Sequence, residues 1–167
     1  MSGRFLLDTN IIIPATHMDE IPIREAKQSD LPMIEKLMAE LGDSVDNDEG
    51  FDMDIVSENL RILLHDDSFH ILVAESNNSV IGVITLAFRR TLLHPGPSGL
   101  IDELVVTGSN RGKGVGGQLI NAAIQKCEQL GCCEIEVSTE TTNANARKFY
   151  KKCGFEEIGV MFEKGVP

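Results

Sequence analysis

The sequence predicts an α/β fold with the element order β-α-α-β-β-β-α-β-α-β. Three observations carry that expectation. Apolar residues recur with period two in some segments and about 3.6 in others, alternating along the chain. Two strand-like runs meet at the turn-rich "SNNS" of residues 76–79. A stretch holding four glycines, "SNRGKGVGGQLI" at 109–120, opens onto an apolar helical stripe.

The elements follow in order. "IPIREA" (21–26) reads as a short strand. In "SDLPMIEKLMAELG", Leu31, Ile34, Leu37, Met38 and Leu41 share one helical face. Ser29 and Asp30 offer a cap there, Pro32 suits the first turn, and Gly42 suits the stop. An acidic stretch precedes a second helix at 55–64. "FHILVAES" and "SVIGVITLAFRR" form an antiparallel hairpin. "HPGPSG" (94–99) is expected to be a loop, because its prolines suit neither a helix nor an inner strand. "LIDELVV" is the next strand. The glycine stretch then starts a helix running to about Leu130 and stopped by Gly131, with Val115, Leu119, Ala122, Ala123, Cys127 and Leu130 as its stripe. "CEIEVST" is a strand. "NANARKFYKKCG" is a helix with Ala146, Phe149, Tyr150 and Cys153 on one face, and "FEEIGVMFEK" closes as a strand.

A chain of 167 residues, 42% hydrophobic and 25% charged, fits one domain with a real core. The expected division is an N-terminal extension at 1–20 and a single domain at 21–167. The formal charge of −11 argues against a nucleic-acid binder, whose affinity would come from clustered Lys and Arg. No apolar run reaches the roughly 20 residues of a membrane span, and the first residues do not read as a secretory signal, so the cytoplasm is the expected location. The four cysteines (Cys127, Cys132, Cys133, Cys153) have neither CxxC spacing nor a histidine pattern, so reduced thiols and no metal are expected.

The glycine stretch admits three phosphate-binding readings. A P-loop fails, because Gly114 stands where Ser or Thr should follow Lys113. Gly112, Gly114 and Gly117 satisfy GxGxxG, but too little chain follows for a doubly wound dinucleotide domain. The third reading, R-x-x-G-x-G at Arg111, Gly114 and Gly116, places successive backbone N–H groups at a helix start, where they can converge on a pyrophosphate. Arg111 then adds a positive charge or locks the loop.

Four pieces in register resemble the GCN5-related N-acetyltransferases over 23–163: "IREAKQSDLPMI", "LVAESNNSVIGVITL", "LIDELVVTGSNRGKGVGGQLI", and "TTNANARKFYKKCGF" with its N…A..FY…GF pattern. The resemblance implies a central mixed, mostly antiparallel sheet with helices on both faces. It also implies acetyl transfer from acetyl-CoA to a primary amine of a small molecule or peptide by direct attack, without metal. A noncatalytic coenzyme A-binding module of the same fold is the alternative. By the same resemblance, the edge at Leu104, Val105 and Val106 pairs with the pantetheine arm, while Arg111, Gly112, Lys113, Gly114, Val115, Gly116 and Gly117 form the pyrophosphate loop. Asn143 matches the position that holds the pantetheine arm, and its other ordinary use is a helix cap. Tyr150 matches the general acid that protonates the departing thiolate. An amine must also lose a proton, so a carboxylate base is expected. Asp102 and Glu103 are the candidates; strand alternation sends them to opposite faces, and register from the edge favours Asp102.

The acidic stretch "GDSVDNDEGFDMD" does not fit an EF-hand. It is either a solvated loop or a rim that draws a cationic acceptor. "RRTLLHPGPSG" (89–99) is expected to be the other wall of the acceptor site, with His94 as a loop residue. Residues 5–14, "FLLDTNIIIP", resemble the first strand of PIN-domain nucleases, whose leading acid would be Asp8. A remnant, an added edge strand and a homodimer contact all remain open for that segment.

Overall fold

A computed structural model describes residues 20–42 and 51–166. The PIN-like segment, Asp8 included, and most of the acidic stretch (43–50) lie outside the described residues. The chain divides into two compact units, one spanning Glu20–Ser138 and one containing the C-terminal segment from residue 139; each is taken by itself.

The first unit is a five-stranded sheet in the order β1-β2-β3-β4-β5. β1 (Ile23–Glu25), β2 (Phe69–Ser76), β3 (Ser79–Arg89) and β4 (Ser98–Val106) pair antiparallel in sequence order. β5 (Glu134–Val137) joins β4 in parallel, as expected for a strand reached through a helical crossover. The β2–β3 hairpin turns at Asn77 and Asn78, both at positive φ (50° and 58°), a conformation asparagine tolerates better than most residues.

Helices cover both faces. α1 (Leu31–Gly42) and α2 (Met53–Leu63) bury Leu31, Ile34, Leu37 and Leu60 against Ile71, Val73, Val83 and Val105. α3 (Val115–Gln129) packs Leu119, Ala123 and Cys127 against the opposite face. The fit there is close. A Cβ on Gly99 of β4 would lie 2.5 Å from Cys127 Sγ, and one on Gly82 of β3 would lie 3.0 Å from a Leu119 methyl.

Several boundaries differ from expectation for physical reasons. α2 starts at Met53 because the Asp52 carboxylate accepts the Asp54 and Ile55 N–H groups, so part of the acidic stretch is a helix cap. Ser98 and Gly99 belong to β4, since β5 supplies them with partners. Leu130 is the C-cap and is exposed, and Ile120 takes its place in the core. Gly131, at φ 70°, stops α3 as predicted.

The second unit contains α4 (Ala144–Lys152). The expected closing strand is not formed: residues 155–166 carry no strand. A strand needs a ladder partner. Here Glu157 is instead held to α4 by Arg147 and Lys151, each at 2.7 Å, and Gly159 interrupts the alternation.

One polar cluster anchors the start of the first unit. Arg24 of β1 donates through both terminal nitrogens to Asp30 (2.6 and 3.0 Å), and its Nε donates to Glu75 of β2 (2.7 Å). The buried Asp30 carboxylate also accepts the Lys27 N–H at 2.8 Å. The Arg24 hydrogen bond holds Asp30 below the usual carboxylate range, against the opposing effect of burial. A depressed folded-state value stabilises above the unfolded value of about 4 and is lost as pH falls through the folded one. Asp30→Asn should therefore cost about 1–3 kcal/mol at pH 7, with the deficit shrinking in acid; urea melts at several pH values would check it.

Candidate active site

β4 is nine residues long, yet β5 pairs with it only from Ser98 to Ile101. Beyond that point the β5 side of residues 102–106 has no ladder partner among the described residues. An open strand edge presents N–H and C=O groups that need partners. The expected pantetheine edge, Leu104, Val105 and Val106, lies within it. Val105 is buried, so its side chain packs in the core while its main chain runs along the edge.

The chain leaves this edge through a 3-10 turn at Gly108–Asn110, where the Gly108 N–H donates to Glu40 of α1 at 3.1 Å. Arg111 is exposed, and its Nε donates to the Val106 carbonyl at 2.9 Å, folding the loop back on the strand end. Of the two uses expected for Arg111, this contact is the loop lock. Gly112 and Gly114 adopt φ 75° and 81°, which only glycine takes without strain. Gly114 is the N-cap of α3, and Gln118 is the first residue to donate back to it, at 3.1 Å. The N–H groups of Val115, Gly116 and Gly117 therefore have no intrahelical acceptor. Lys113 is exposed beside them.

Gly117 is informative because the fold does not require it. A Cβ there would meet nothing within 4 Å, and its φ is not in the left-handed region. Glycine in a helix costs about 1 kcal/mol relative to alanine. A helix start with open space at Gly117, three N–H groups without an acceptor among the described residues and a nearby cation fits a diphosphate that must approach the main chain closely. The residues thus suit a coenzyme A pyrophosphate.

The two candidate bases sit at an irregularity in β4. Ile84 pairs with Leu104 and Leu86 with Ile101, so Asp102 and Glu103 together oppose Thr85. That is a β-bulge, and it breaks the strict alternation on which the preference for Asp102 rested. The Glu103 N–H donates to Thr85 Oγ1 at 2.9 Å, and the Thr85 hydroxyl donates to the Glu103 carboxylate. Thr85 is buried and Glu103 half-buried, whereas Asp102 is exposed. Burial pushes Glu103 above the usual carboxylate range. The Thr85 hydrogen bond opposes this, and the neighbouring Asp102 charge adds to it. Asp102, although largely exposed, is raised by the desolvation of its covered part. Sequence reading missed Thr85, since only the β3–β4 register brings it to Glu103.

In the second unit, the Asn143 side chain accepts the Ala146 N–H at 3.0 Å and so caps α4. Tyr150 is half-buried, edge-on to Phe149 and Phe155 (5.3 and 5.8 Å between ring centres). Burial, and then Cys153, raise its pKa, so it stays protonated at neutral pH. Cys127 is buried and pushed up to about 12 by burial, an inert thiol; Cys153 is half-buried. No described helix is long and apolar enough to cross a membrane.

Gly117→Ala separates the fold from the ligand. The variant should be as stable as the parent or more so, by up to about 1 kcal/mol. Its Kd for coenzyme A in calorimetry should rise by roughly tenfold, about 1.4 kcal/mol. Unchanged affinity would remove the loop from the site.

Comparison with known proteins gives the family of the chain. The Acetyltransferase (GNAT) family matches residues 31–155. The aminoalkylphosphonate N-acetyltransferase of Salmonella typhimurium (strain LT2) is 26% identical over 156 residues, covering 93% of this chain and all of that protein. The structure of a possible acetyltransferase from Clostridium difficile 630 superposes with a TM-score of 0.80 at 25% identity, over 88% of this chain and 98% of that one. An aminoglycoside acetyltransferase from an uncultured soil metagenomic sample, solved with sisomicin, gives 0.73 at 25% identity over 88% and 97%. The chain belongs to the GNAT acetyltransferase family and is an acyltransferase that takes acetyl-CoA as its cosubstrate.

Proposed function

We propose that this enzyme acetylates a primary amine of a small molecule by direct attack, with Glu103 as the base. The observation that carries the reading is the continuity of the open 102–106 edge with the bare start of α3. A strand edge suited to two amides runs straight into a loop suited to a diphosphate. Similarity to proteins named for aminoalkylphosphonate, aminoglycoside and glucosamine 6-phosphate supports a small amine as acceptor.

The cosubstrate supplies an activated acetyl thioester. Pyrophosphate rests on the amides of 112–117, and pantetheine pairs with Leu104, Val105 and Val106. Glu103 takes the proton that an ammonium acceptor must lose before it attacks, directly or through water. Its raised pKa makes it a better base than an exposed carboxylate, and Thr85 fixes its direction. Asp102, next in the chain, supports the raised value through its charge. A main-chain N–H near Val105 or Val106 polarises the acyl oxygen. Tyr150 Oη donates its proton to the leaving sulfur and is reset through solvent by the second proton that the attacking nitrogen sheds, a role that rests on the N…A..FY…GF pattern. With both substrates bound at once, positioning supplies much of the rate.

Two outcomes follow. In thiol-release assays, kcat/KM should rise with pH through the Glu103 value, above the ordinary carboxylate range. Glu103→Gln should abolish that limb and lower the rate by roughly 10²- to 10⁴-fold. If the profile keeps its acidic limb in the variant, Glu103 is not the base. Tyr150→Phe should lower kcat by a similar factor, roughly 10²- to 10⁴-fold, while the coenzyme A Kd stays within about twofold. A protein that binds coenzyme A and shows no turnover with any amine would instead be a binding module.

A further inference from the structure

We infer that His94, Cys133 and Glu134 form a zinc(II) site at the end of β4 remote from the glycine loop. Their donor atoms, an imidazole nitrogen, a thiol sulfur and a carboxylate oxygen, all lie within 4.8 Å of one another. His94 Nδ1 is 3.0 Å from Glu134 Oε1. In a tetrahedral zinc site with bonds of about 2.0–2.3 Å, neighbouring donors stand about 3.3–3.7 Å apart, so closure needs shifts of about 1 Å.

The three residues come from two segments that the fold clamps together. His94 lies in the β3–β4 loop, Cys133 ends the α3–β5 turn, and Glu134 begins β5. The Cys133 N–H donates to the Pro97 carbonyl at 3.0 Å. Gly96 lies so close to the α3–β5 turn that a Cβ would sit 2.5 Å from the Gly131 carbonyl. Thr91 Oγ1, 3.0 Å from His94 Nδ1, has to release that nitrogen for a metal, while the fully buried Ser98 donates its hydroxyl to Glu134 Oε1 at 2.7 Å. Outer partners of this kind orient ligands in metal sites. A histidine–glutamate ion pair accounts for two of the residues and leaves the thiol unexplained. Among the described residues, Cys133 Sγ meets the Gly96 and Pro97 carbonyls, at 3.6 and 3.5 Å, which are weak partners.

The donor chemistry selects the ion. One thiolate and one imidazole favour zinc over magnesium or calcium, which prefer all-oxygen shells. Thiolate and carboxylate together balance the two positive charges, and on binding the Cys133 proton passes to solvent. Three protein ligands leave the fourth position to water.

The test uses the full, reduced chain stripped of metal and titrated with zinc(II) in competition with a chromogenic chelator. One equivalent should bind. Cys133→Ala and His94→Ala should each weaken binding by at least the roughly 10- to 100-fold that loss of an outer partner alone causes. Cobalt(II) should give a near-ultraviolet thiolate charge-transfer band that Cys133→Ala abolishes. Far-ultraviolet dichroism confirms folding, and Glu134→Gln with Cys133→Ser replace any variant that fails to fold. Failure to compete with the chelator overturns the site, as does zinc uptake unchanged in the folded variants or a missing cobalt band.

Discussion

The parallel pairing of β4 with β5 ends at Ile101 and Val137, and the rest of the active-site geometry depends on that termination. Within a sheet every backbone group finds a partner in the neighbouring strand, so a paired edge has nothing to offer a ligand. β5 is four residues long and β4 is nine, which leaves the second half of β4 with a free side. α3 packs closely on one face of the sheet, at Gly99 in the paired half of β4 and at Gly82 of β3, the strand partner of Val106. The opening is thus built from a short strand and a tight helix, and the chain leaves it directly into the glycine loop.

The bulge at Asp102 and Glu103 gives this edge its chemistry. An extra residue opposite Thr85 takes the Glu103 N–H out of the ladder, and the threonine hydroxyl restores a partner for it. The same hydroxyl donates to the Glu103 carboxylate, so one buried side chain satisfies the main chain and aims the acid. Desolvation pulls Glu103 toward its neutral form and outweighs the hydrogen bond, which pulls the other way, so its pKa is raised. Asp102, one residue earlier, is exposed and has no such support.

Several residues serve the fold before they serve a ligand. Asn143 caps α4, Arg111 ties the loop to Val106, and Val105 is core and edge at once. Gly117 is the exception, since nothing in the protein's own packing calls for it. Such a residue discriminates between ligand and architecture better than those with two uses.

Local sequence alone determined the elements that satisfy themselves. The β2–β3 hairpin appeared where "NN" could take positive φ, α1 where the 3.6-residue stripe ran from Leu31 to Leu41, and the start of α3 where glycines admitted φ near 80°. Each depends on residues at most a few positions apart. The glycine-rich start of α3 was legible for the same reason, whereas the edge at 104–106 was expected only from the family resemblance, because a free edge exists only where β5 stops short. Only the tertiary structure decided features that need a distant partner. "FEEIGVMFEK" has strand-like alternation and forms no strand, because no neighbouring strand among the described residues supplies it with a ladder. The contact between Glu103 and Thr85, 18 positions away, and the bulge beside it exist only in the β3–β4 register. His94 and Glu134 meet across 40 positions, a distance no spacing rule spans. Short-range preferences are written residue by residue, whereas a ladder, a bulge or a clamp exists only once the sheet has brought its members together.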